Sequence, residues 1–229
     1  MKNLAIIPAR GGSKRIPGKN IRDFCGRPIL SYSIQAAREC GIFEEVMVST
    51  DDDRIAEIGR QFGAVVPFMR SAATADDRTP LAEAILEVLL AYEARGKNFD
   101  NICCILATAP FLTHEDIKKA YSEFLAGGYD SVFPVVRFGY PIFRALRFEG
   151  GKVSMFWPEN RDSRSQDFEL AFHDAGAFYW AKVDALKSEC TLFMANSGGL
   201  VVSEALAQDI DTEEDWRIAE IKYRIQEVK

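Results

Sequence analysis

Residues 4–20 read LAIIPARGGSKRIPGKN and join a short apolar run to a loop rich in glycine and positive charge. The apolar, β-branched run at 4–8 predicts a buried β-strand. The loop that follows is too short and too charged to form a core. Backbone N–H groups of a glycine-rich loop, together with the start of a following helix, are typical of phosphate sites. The segment predicts a bound anion at the end of the first strand; the alternative is a tight turn with solvated charges.

Two familiar phosphate-binding templates do not fit this loop. A Walker A motif has four residues between its first glycine and the Gly-Lys pair, which Ser or Thr follows. Here five residues separate Gly12 from Gly18, and Asn20 follows Lys19. The dinucleotide pattern GxGxxG also fails, because Gly11 and Gly12 are adjacent. The loop therefore predicts an anion site of another kind.

Composition and charge exclude several classes of protein. The chain of 229 residues carries a net charge of −6, which argues against a nucleic-acid partner. Residues 1–30 hold seven Lys or Arg and one Asp, a sum of +6, so the remainder sums to −12. A local cationic patch in an acidic protein suits a small anion. No apolar run is long enough to span a bilayer, and the start MKNLAIIPAR lacks the apolar stretch of a signal peptide. We therefore expect a cytoplasmic protein without a membrane partner.

Patterns typical of strands and helices alternate along most of the chain. Predicted strands cover 4–8, 44–50, 64–68, 101–106, 130–136, 176–183 and 200–204. Predicted helices cover 28–40, 52–62, 80–96, 113–128 and 211–228. This alternation predicts an α/β fold with a mostly parallel, twisted sheet and helices on both faces. The pattern breaks at 137–175, so we expect one domain over 1–229 with an excursion there, including a hairpin at 145–156.

A second chemical centre lies near the carboxyl terminus, where residues 209–211 read DID. On an extended chain Asp209 and Asp211 point to the same side. Two carboxylates on one side suit Mg²⁺, which also takes phosphate oxygens and waters as ligands. The alternative is that Asp211 forms a capping box with Glu214 at the start of the last helix. Asp211 could serve both roles.

The loop and the IPGKN that ends it resemble the CMP-sialic acid synthetase (acylneuraminate cytidylyltransferase) family. Four further segments resemble the branch of this family that acts on pseudaminic acid: LATAPFL at 106–112, YPIFRAL at 140–146, HDAGAFYW at 173–180 and QDIDTEEDW at 208–216. The resemblance implies a Rossmann-like fold. It also implies that CTP and an acidic nine-carbon sugar give a CMP-sugar and pyrophosphate, with Mg²⁺ as cofactor. A homodimer is implied as well, with 137–175 reaching across to the neighbour.

The resemblance assigns roles to individual residues of the nucleotide site. Positions that match the family's nucleotide-binding residues are Arg10, Gly11, Gly12, Ser13, Lys14, Lys19, Asn20, Arg70 and Thr79. Lys19 and Arg10 are expected to be catalytic, because fixed cations stabilise the charge that develops on the phosphates. Asn20 and Arg70 match positions that contact cytosine. Arg15 departs from the small residue often found at its position and is left out of the catalytic set.

The sugar site is expected to draw on Gln166, Asp174, Arg144 and Leu106, with Arg161 or Arg164 as alternatives to Arg144. Leu106 stands where the sialic acid enzymes carry a glutamine, and an apolar wall suits the deoxy terminal carbon of pseudaminic acid. The nucleophile is the sugar's own anomeric hydroxyl, and His173 is expected to be structural. Two alternatives stay open: the same reaction on legionaminic or N-acetylneuraminic acid, and a non-catalytic nucleotide-binding module.

Overall fold

The computed structural model describes residues 1–76 and 78–227. Its strands are β1 (Asn3–Pro8), β2 (Asp23–Phe24), β3 (Arg27–Pro28), β4 (Glu45–Ser49), β5 (Asn101–Ile105), β6 (Ser131–Arg137), β7 (Leu146–Glu149), β8 (Lys152–Met155), β9 (Phe172–Asp174), β10 (Phe178–Lys182) and β11 (Ser197–Val202). Its α-helices are α1 (Leu30–Cys40), α2 (Asp53–Gln61), α3 (Leu81–Glu93), α4 (His114–Ala126), α5 (Val183–Glu189) and α6 (Glu213–Glu227).

The central sheet has the order β11-β6-β10-β5-β1-β4, and β9 also pairs with β6. β1 is parallel to both β4 and β5, and β6 is parallel to β11. β10 lies between β5 and β6 and is antiparallel to both. The mostly parallel sheet predicted from the sequence is therefore confirmed. Because β1, β4 and β5 end at the same edge, the loops that follow them meet there.

Both faces of the sheet are covered, which explains why β1 is apolar from Leu4 onwards. Leu4 and Ile6 face a cluster that includes residues of α3 and α5. Ala5 and Ile7 face the other cluster, which includes residues of α1, α2 and α4. All four of these side chains are fully buried. A strand covered on both faces reads as a continuous apolar run instead of an alternating one.

A third apolar cluster lies beside the sheet and joins the two ends of the chain. Ile16 of the glycine loop and Ile210 of the DID segment are fully buried in it. Phe24 and Trp216 of α6 meet edge to face in the same cluster, with ring centroids 5.5 Å apart. This packing holds the amino-terminal loop against the segment that precedes α6.

Three element predictions differ from the structure. The predicted strand at 64–68 is wrong: Val65 forms one isolated bridge to Met47, and Pro67 has no N–H with which to continue a ladder. α1 begins at Leu30 instead of residue 28, because β3 pairs with β2 in a short hairpin. α5 follows β10 directly and was not predicted.

The excursion leaves the sheet after β6 and returns to it at β9, which pairs with β6. The predicted hairpin is present: β7 and β8 are antiparallel, and they are joined by Gly150 and Gly151. Both glycines have positive φ, 56° and 78°, as a tight two-residue turn requires. Leu146, Phe148 and Val153 of this hairpin are exposed. None of the helices in the described ranges combines the length and apolarity needed to cross a membrane.

Candidate active site

A cavity of about 530 Å³ opens at the edge of the sheet where β1 and β5 end. Most of the residues predicted for the nucleotide and metal line it, together with Leu106; they are Arg10, Ser13, Lys14, Lys19, Asn20, Arg70, Thr79, Asp209 and Asp211. Arg15, which was not expected to be catalytic, lines it as well. The structure therefore brings the glycine loop and the DID segment to one cavity.

The glycine loop is held against the start of α2. The Gly11 N–H donates to Asp51 Oδ1 at 2.9 Å. A Cβ built on Gly11 would lie 2.8 Å from the Cβ of Asp52, whereas one on Gly12 would meet nothing within 4 Å. Asp52 itself caps α2 by accepting from the N–H groups of Arg54 and Ile55. Sequence reasoning missed this contact, although the run TDDD at 50–53 was a visible signal.

Lys19 and Asn20 lie on a short 3-10 turn at the end of the loop. Gly18, which precedes the turn, has a left-handed φ of 64°. Asn20 is buried, and its Nδ2 donates to the Arg10 carbonyl at 2.9 Å. The Lys19 ammonium donates to the Ile210 carbonyl at 2.6 Å and lies 3.6 Å from Asp211 Oδ1. The turn therefore fixes both the loop backbone and a cation beside the two acids.

Asp209 and Asp211 flank the buried Ile210, so both carboxylates reach the cavity from one side. The pKa of the Asp209 carboxyl is raised, first by loss of water around it and then by the charge of Asp211, while Lys19 lowers it. Asp211 Oδ2 accepts from Arg15 at 2.8 Å. The predicted geometry of the pair on an extended chain agrees with this arrangement.

The helix cap expected at Asp211 lies one residue later. Thr212 Oγ1 accepts from the Asp215 N–H at 3.2 Å, and Asp215 Oδ2 accepts from the Thr212 N–H at 2.8 Å. This is a capping box, and it stands in place of the predicted Asp211–Glu214 pair, which is wrong. The Asp211 backbone N–H also donates to Asp215, but the Asp211 carboxylate points to the cations of the loop.

Arg70 is only 9% exposed, so it is not a solvated surface charge. Its guanidinium donates to Ser49 Oγ at 3.0 Å and to the Ser49 carbonyl at 2.8 Å. Burial lowers the pKa of Arg70, and the charges of Asp51 and Glu87 act in the opposite direction. An arginine nevertheless stays protonated at neutral pH. The end of β4 thus holds a fixed donor at the cavity wall.

The described residues after Arg70, 71–76 and 78–79, include three that line the cavity and are held by side-chain hydrogen bonds. At the start of this segment, Glu87 of α3 accepts from the Ser71 N–H at 2.8 Å and from the Thr74 hydroxyl. At its end, Asp76 Oδ1 accepts from both the N–H and the hydroxyl of Thr79 at 2.7 Å. The Asp76 carbonyl accepts from Arg10 at 2.7 Å, which joins this segment to the glycine loop.

The predicted sugar residues do not all line one cavity of the chain. Leu106 lines the large cavity, whereas Gln166 lines a separate cavity of about 300 Å³ within the excursion. Asp174 accepts from the Gly176 N–H at 3.0 Å and from the Tyr179 hydroxyl. Arg144 donates to the Ser163 carbonyl. His173 contacts the Asp174 carbonyl through Nδ1 at 2.9 Å, next to Asp174 in the short strand β9.

Comparison with known proteins relates the chain to cytidylyltransferases. A family model described as cytidylyltransferase matches residues 4–146. The pseudaminic acid cytidylyltransferase of Campylobacter jejuni is 42% identical over 226 residues, which cover 98% of this chain and 97% of that protein. The CMP-N,N'-diacetyllegionaminic acid synthase of Legionella pneumophila is 32% identical over 96% of this chain and 95% of its own length.

Solved structures show the same fold at low sequence identity. A CMP-2-keto-3-deoxy-manno-octonic acid synthetase, solved in complex with CTP, superposes with a TM-score of 0.71 at 16% identity, and each chain is fully covered. At this identity the likeness concerns the fold alone, and it agrees with the Rossmann-like architecture expected from the sequence. Family membership rests instead on the match of the family model and on the 42% identity along nearly the whole chain. The chain belongs to the cytidylyltransferase family.

Proposed function

We propose that this protein transfers CMP from CTP to the anomeric hydroxyl of pseudaminic acid and releases pyrophosphate. The observation that carries this proposal is the meeting of the glycine-loop cations with Asp209 and Asp211 in one cavity of about 530 Å³. The cations of such a cavity suit a bound triphosphate, and its two carboxylates suit a metal ion. The relative from Campylobacter jejuni supports pseudaminic acid as the acceptor.

The loop cations would stabilise the charge that develops during transfer. Nucleotidyl transfer concentrates negative charge on the α-phosphate oxygens and on the departing pyrophosphate. Lys19 is positioned for this by its bond to the Ile210 carbonyl, and Arg10 by its bond to the Asp76 carbonyl. Cations already fixed in a cavity stabilise such charge without having to reorganise during the reaction. Ser13 and Lys14 also line the cavity and would complete the cradle for the phosphates. Gly11 and Gly12 do not line it, and the Gly11 N–H is bound to Asp51, so these two glycines would give the loop its shape.

Cytosine would bind near Arg70 and Asn20. Arg70 presents guanidinium donors that the Ser49 contacts hold in place, and these suit the cytosine carbonyl. Asn20 has both an amide donor and a carbonyl acceptor. Thr79 also lines the cavity, but its hydroxyl is bound to Asp76, so we assign it to the shape of the pocket.

The two acids fit a divalent cation. They reach the cavity from one side, and the negative charge of Asp211 adds to the loss of water that raises the pKa of Asp209. Among the described residues no three His, Cys, Asp or Glu side chains form a complete protein cage. Mg²⁺ commonly binds through one or two carboxylates plus substrate phosphates, so a pair suffices. A bound Mg²⁺ would orient the α-phosphate and lower the pKa of the attacking hydroxyl.

We infer that the sugar site is completed by a second copy of the chain in a homodimer. Leu106 would provide the apolar wall, and Gln166, Asp174 and Arg144 would lie in or beside an excursion that reaches the neighbour. The excursion carries aromatic side chains that are unusually exposed: Tyr140 is 89% and Phe148 73% exposed. Exposed aromatic groups of this kind are typical of interfaces. On this view residues 1–229 form one nucleotidyltransferase domain, and 137–175 is its dimerisation arm.

Pyrophosphate release tests the function. The protein is incubated with CTP, Mg²⁺ and, separately, pseudaminic acid, N,N'-diacetyllegionaminic acid and N-acetylneuraminic acid. We expect release with pseudaminic acid to exceed the others by at least about tenfold, the size of one or two lost contacts in a closed site. Equal or faster release with another acid would reassign the acceptor. Binding of CTP without release on any acid would favour the non-catalytic module. The cytoplasmic location stays a prediction.

A further inference from the structure

Arg15 forms an ion pair with Asp211, one of the two carboxylates that the proposed function assigns to the metal. Its guanidinium lies 2.8 Å from Asp211 Oδ2, and it belongs to the lining of the same cavity. Lys19 lies 3.6 Å from the other carboxylate oxygen, Asp211 Oδ1. Both oxygens of Asp211 therefore face a cation of the chain itself.

The backbone on both sides of this contact is anchored by buried residues, whereas the Arg15 side chain is largely exposed. Ile16, the next residue, and Ile210, the residue before Asp211, are fully buried in one cluster. The Arg15 side chain is 68% exposed and that of Asp211 36% exposed. An ion pair this exposed is weak and is exchanged readily. The segments thus stay together while the guanidinium can change partner.

A divalent cation bound at Asp211 would compete with Arg15 for the same carboxylate oxygens. A metal that arrives alone has to displace Arg15, which then loses its partner. A metal that arrives with a triphosphate brings a new partner, because phosphate oxygens accept from a guanidinium through two parallel hydrogen bonds. The presence of the nucleotide therefore lowers the free energy needed to release Asp211.

We propose that Arg15 holds Asp211 in the nucleotide-free protein and passes to the triphosphate when the metal binds, so that metal and CTP bind cooperatively. This inference rests on the proposed function, because it takes Asp211 as a metal ligand. It adds a role for the loop residue that family resemblance left out. Coupling between two ligands is reciprocal, so CTP tightens metal binding by the same factor as metal tightens CTP binding.

The test measures metal binding without nucleotide and without catalysis. Free Mn²⁺, a paramagnetic stand-in for Mg²⁺, is titrated by electron paramagnetic resonance against the wild type, Arg15→Ala and Arg15→Gln. Both variants are expected to bind Mn²⁺ alone about two- to fivefold more tightly than the wild type, the range of an exposed ion pair. CTP binding in the presence of Mg²⁺, measured by calorimetry, is expected to weaken about three- to tenfold in both.

Matched controls separate this effect from a general loss of positive charge. Arg22→Ala removes the same charge from the same end of the chain, but Arg22 pairs with Glu213 at 2.6 Å and does not line the cavity. It is expected to change neither affinity by more than about twofold. In an Asp211→Asn background, Arg15→Ala is expected to leave Mn²⁺ affinity unchanged, because the competing pair is already gone.

The inference is overturned if the Arg15 variants bind Mn²⁺ no more tightly than the wild type. It is also overturned if Arg22→Ala increases Mn²⁺ affinity by the same factor as the Arg15 variants. In either case a wild type that binds CTP and releases pyrophosphate leaves the proposed function intact. If the wild type binds no CTP in the presence of Mg²⁺, the proposed function itself fails. The opposite signs for metal and for nucleotide are the result that a purely structural role of Arg15 would not produce.

Discussion

At the scale of single residues, the site depends on a few side chains whose surroundings leave little freedom. Lys19 is the clearest case, since its ammonium contacts the Ile210 carbonyl and lies near Asp211. The remaining exposed fraction of this side chain is 20%. A cation held in this way is expected to act on the phosphates with little motion of its own.

Replacing Lys19 by alanine is expected to lower kcat by about two to three powers of ten, by analogy with the loss of one preorganised donor elsewhere. The measurement is pyrophosphate release at saturating CTP and sugar acid. Lys119→Ala, on an exposed position of α4, is the control and should leave kcat unchanged. A Lys19→Ala variant with a normal kcat would remove Lys19 from the reaction.

The two adjacent glycines make a matched pair for a second test. A Cβ on Gly11 would lie 2.8 Å from Asp52 Cβ and 2.9 Å from its Oδ2, so the loop would have to move. Gly11→Ala is expected to cost about 1–3 kcal/mol in the free energy of unfolding, as for overpacked sites, and to weaken CTP binding at least about tenfold. Gly12→Ala meets open space and should change stability by less than about 0.5 kcal/mol.

Chemical denaturation and calorimetric titration with CTP measure these two effects. If Gly11→Ala and Gly12→Ala behaved alike, contact with Asp52 would not be the reason for glycine at position 11. The comparison thus isolates one steric contact from the general flexibility of the loop.

At the scale of elements, the start of α6 decides what Asp211 is able to do. Thr212 and Asp215 form the capping box, so the Asp211 carboxylate is not needed as a cap. Thr212→Ala is expected to lower the free energy of unfolding by about 1 kcal/mol, the usual cost of a lost N-cap. Glu214→Ala, the alternative box partner, should cost less than about 0.5 kcal/mol. Equal losses from both variants in urea denaturation would contradict this assignment.

The same box gives a pH dependence with a definite sign. Hydrogen bonding by the Thr212 side chain, followed by backbone N–H groups, lowers the pKa of Asp215 below its ordinary value of 3.8. A carboxyl whose pKa is lower in the folded than in the unfolded chain stabilises the fold above the unfolded pKa. That stabilisation is lost as the pH falls from 3.8 through the folded pKa. The difference in free energy of unfolding between wild type and Asp215→Asn should therefore be largest at pH 7 and become smaller as the pH falls below 3.8. A difference that became larger in acid would contradict this prediction.

At the scale of the whole molecule, the excursion exposes large aromatic side chains that the packing of a single chain leaves uncovered. Phe148 on β7 is 73% exposed, while Ile225 on α6 is 61% exposed at another place on the surface. Phe148→Asp is expected to convert the proposed homodimer into a folded monomer in sedimentation velocity, because a buried interface charge is costly. Ile225→Asp serves as the control and should leave the sedimentation coefficient unchanged. A wild type that sediments as a monomer would remove the dimer.

The mostly parallel sheet, the glycine loop and the placement of the two acids on one side of the chain were predictable, because these depend on local patterns. A continuous apolar run marks a strand covered on both faces, and an i, i+2 spacing places Asp209 and Asp211 on one side. Where a local rule competed with pairing or capping, prediction failed: Pro67 prevents a strand at 64–68, and Thr212 takes the cap expected at Asp211.

Local patterns do not reveal which distant segments pack together to form the site. Ile16 and Ile210 are two among many isoleucines, and nothing local shows that they pack together and so bring Arg15 and Lys19 to Asp211. Apolar burial has no directional code, so partner choice is settled by the packing of the whole core. The charged and polar groups of the candidate site could therefore be predicted from the sequence, whereas the way they come together required the fold.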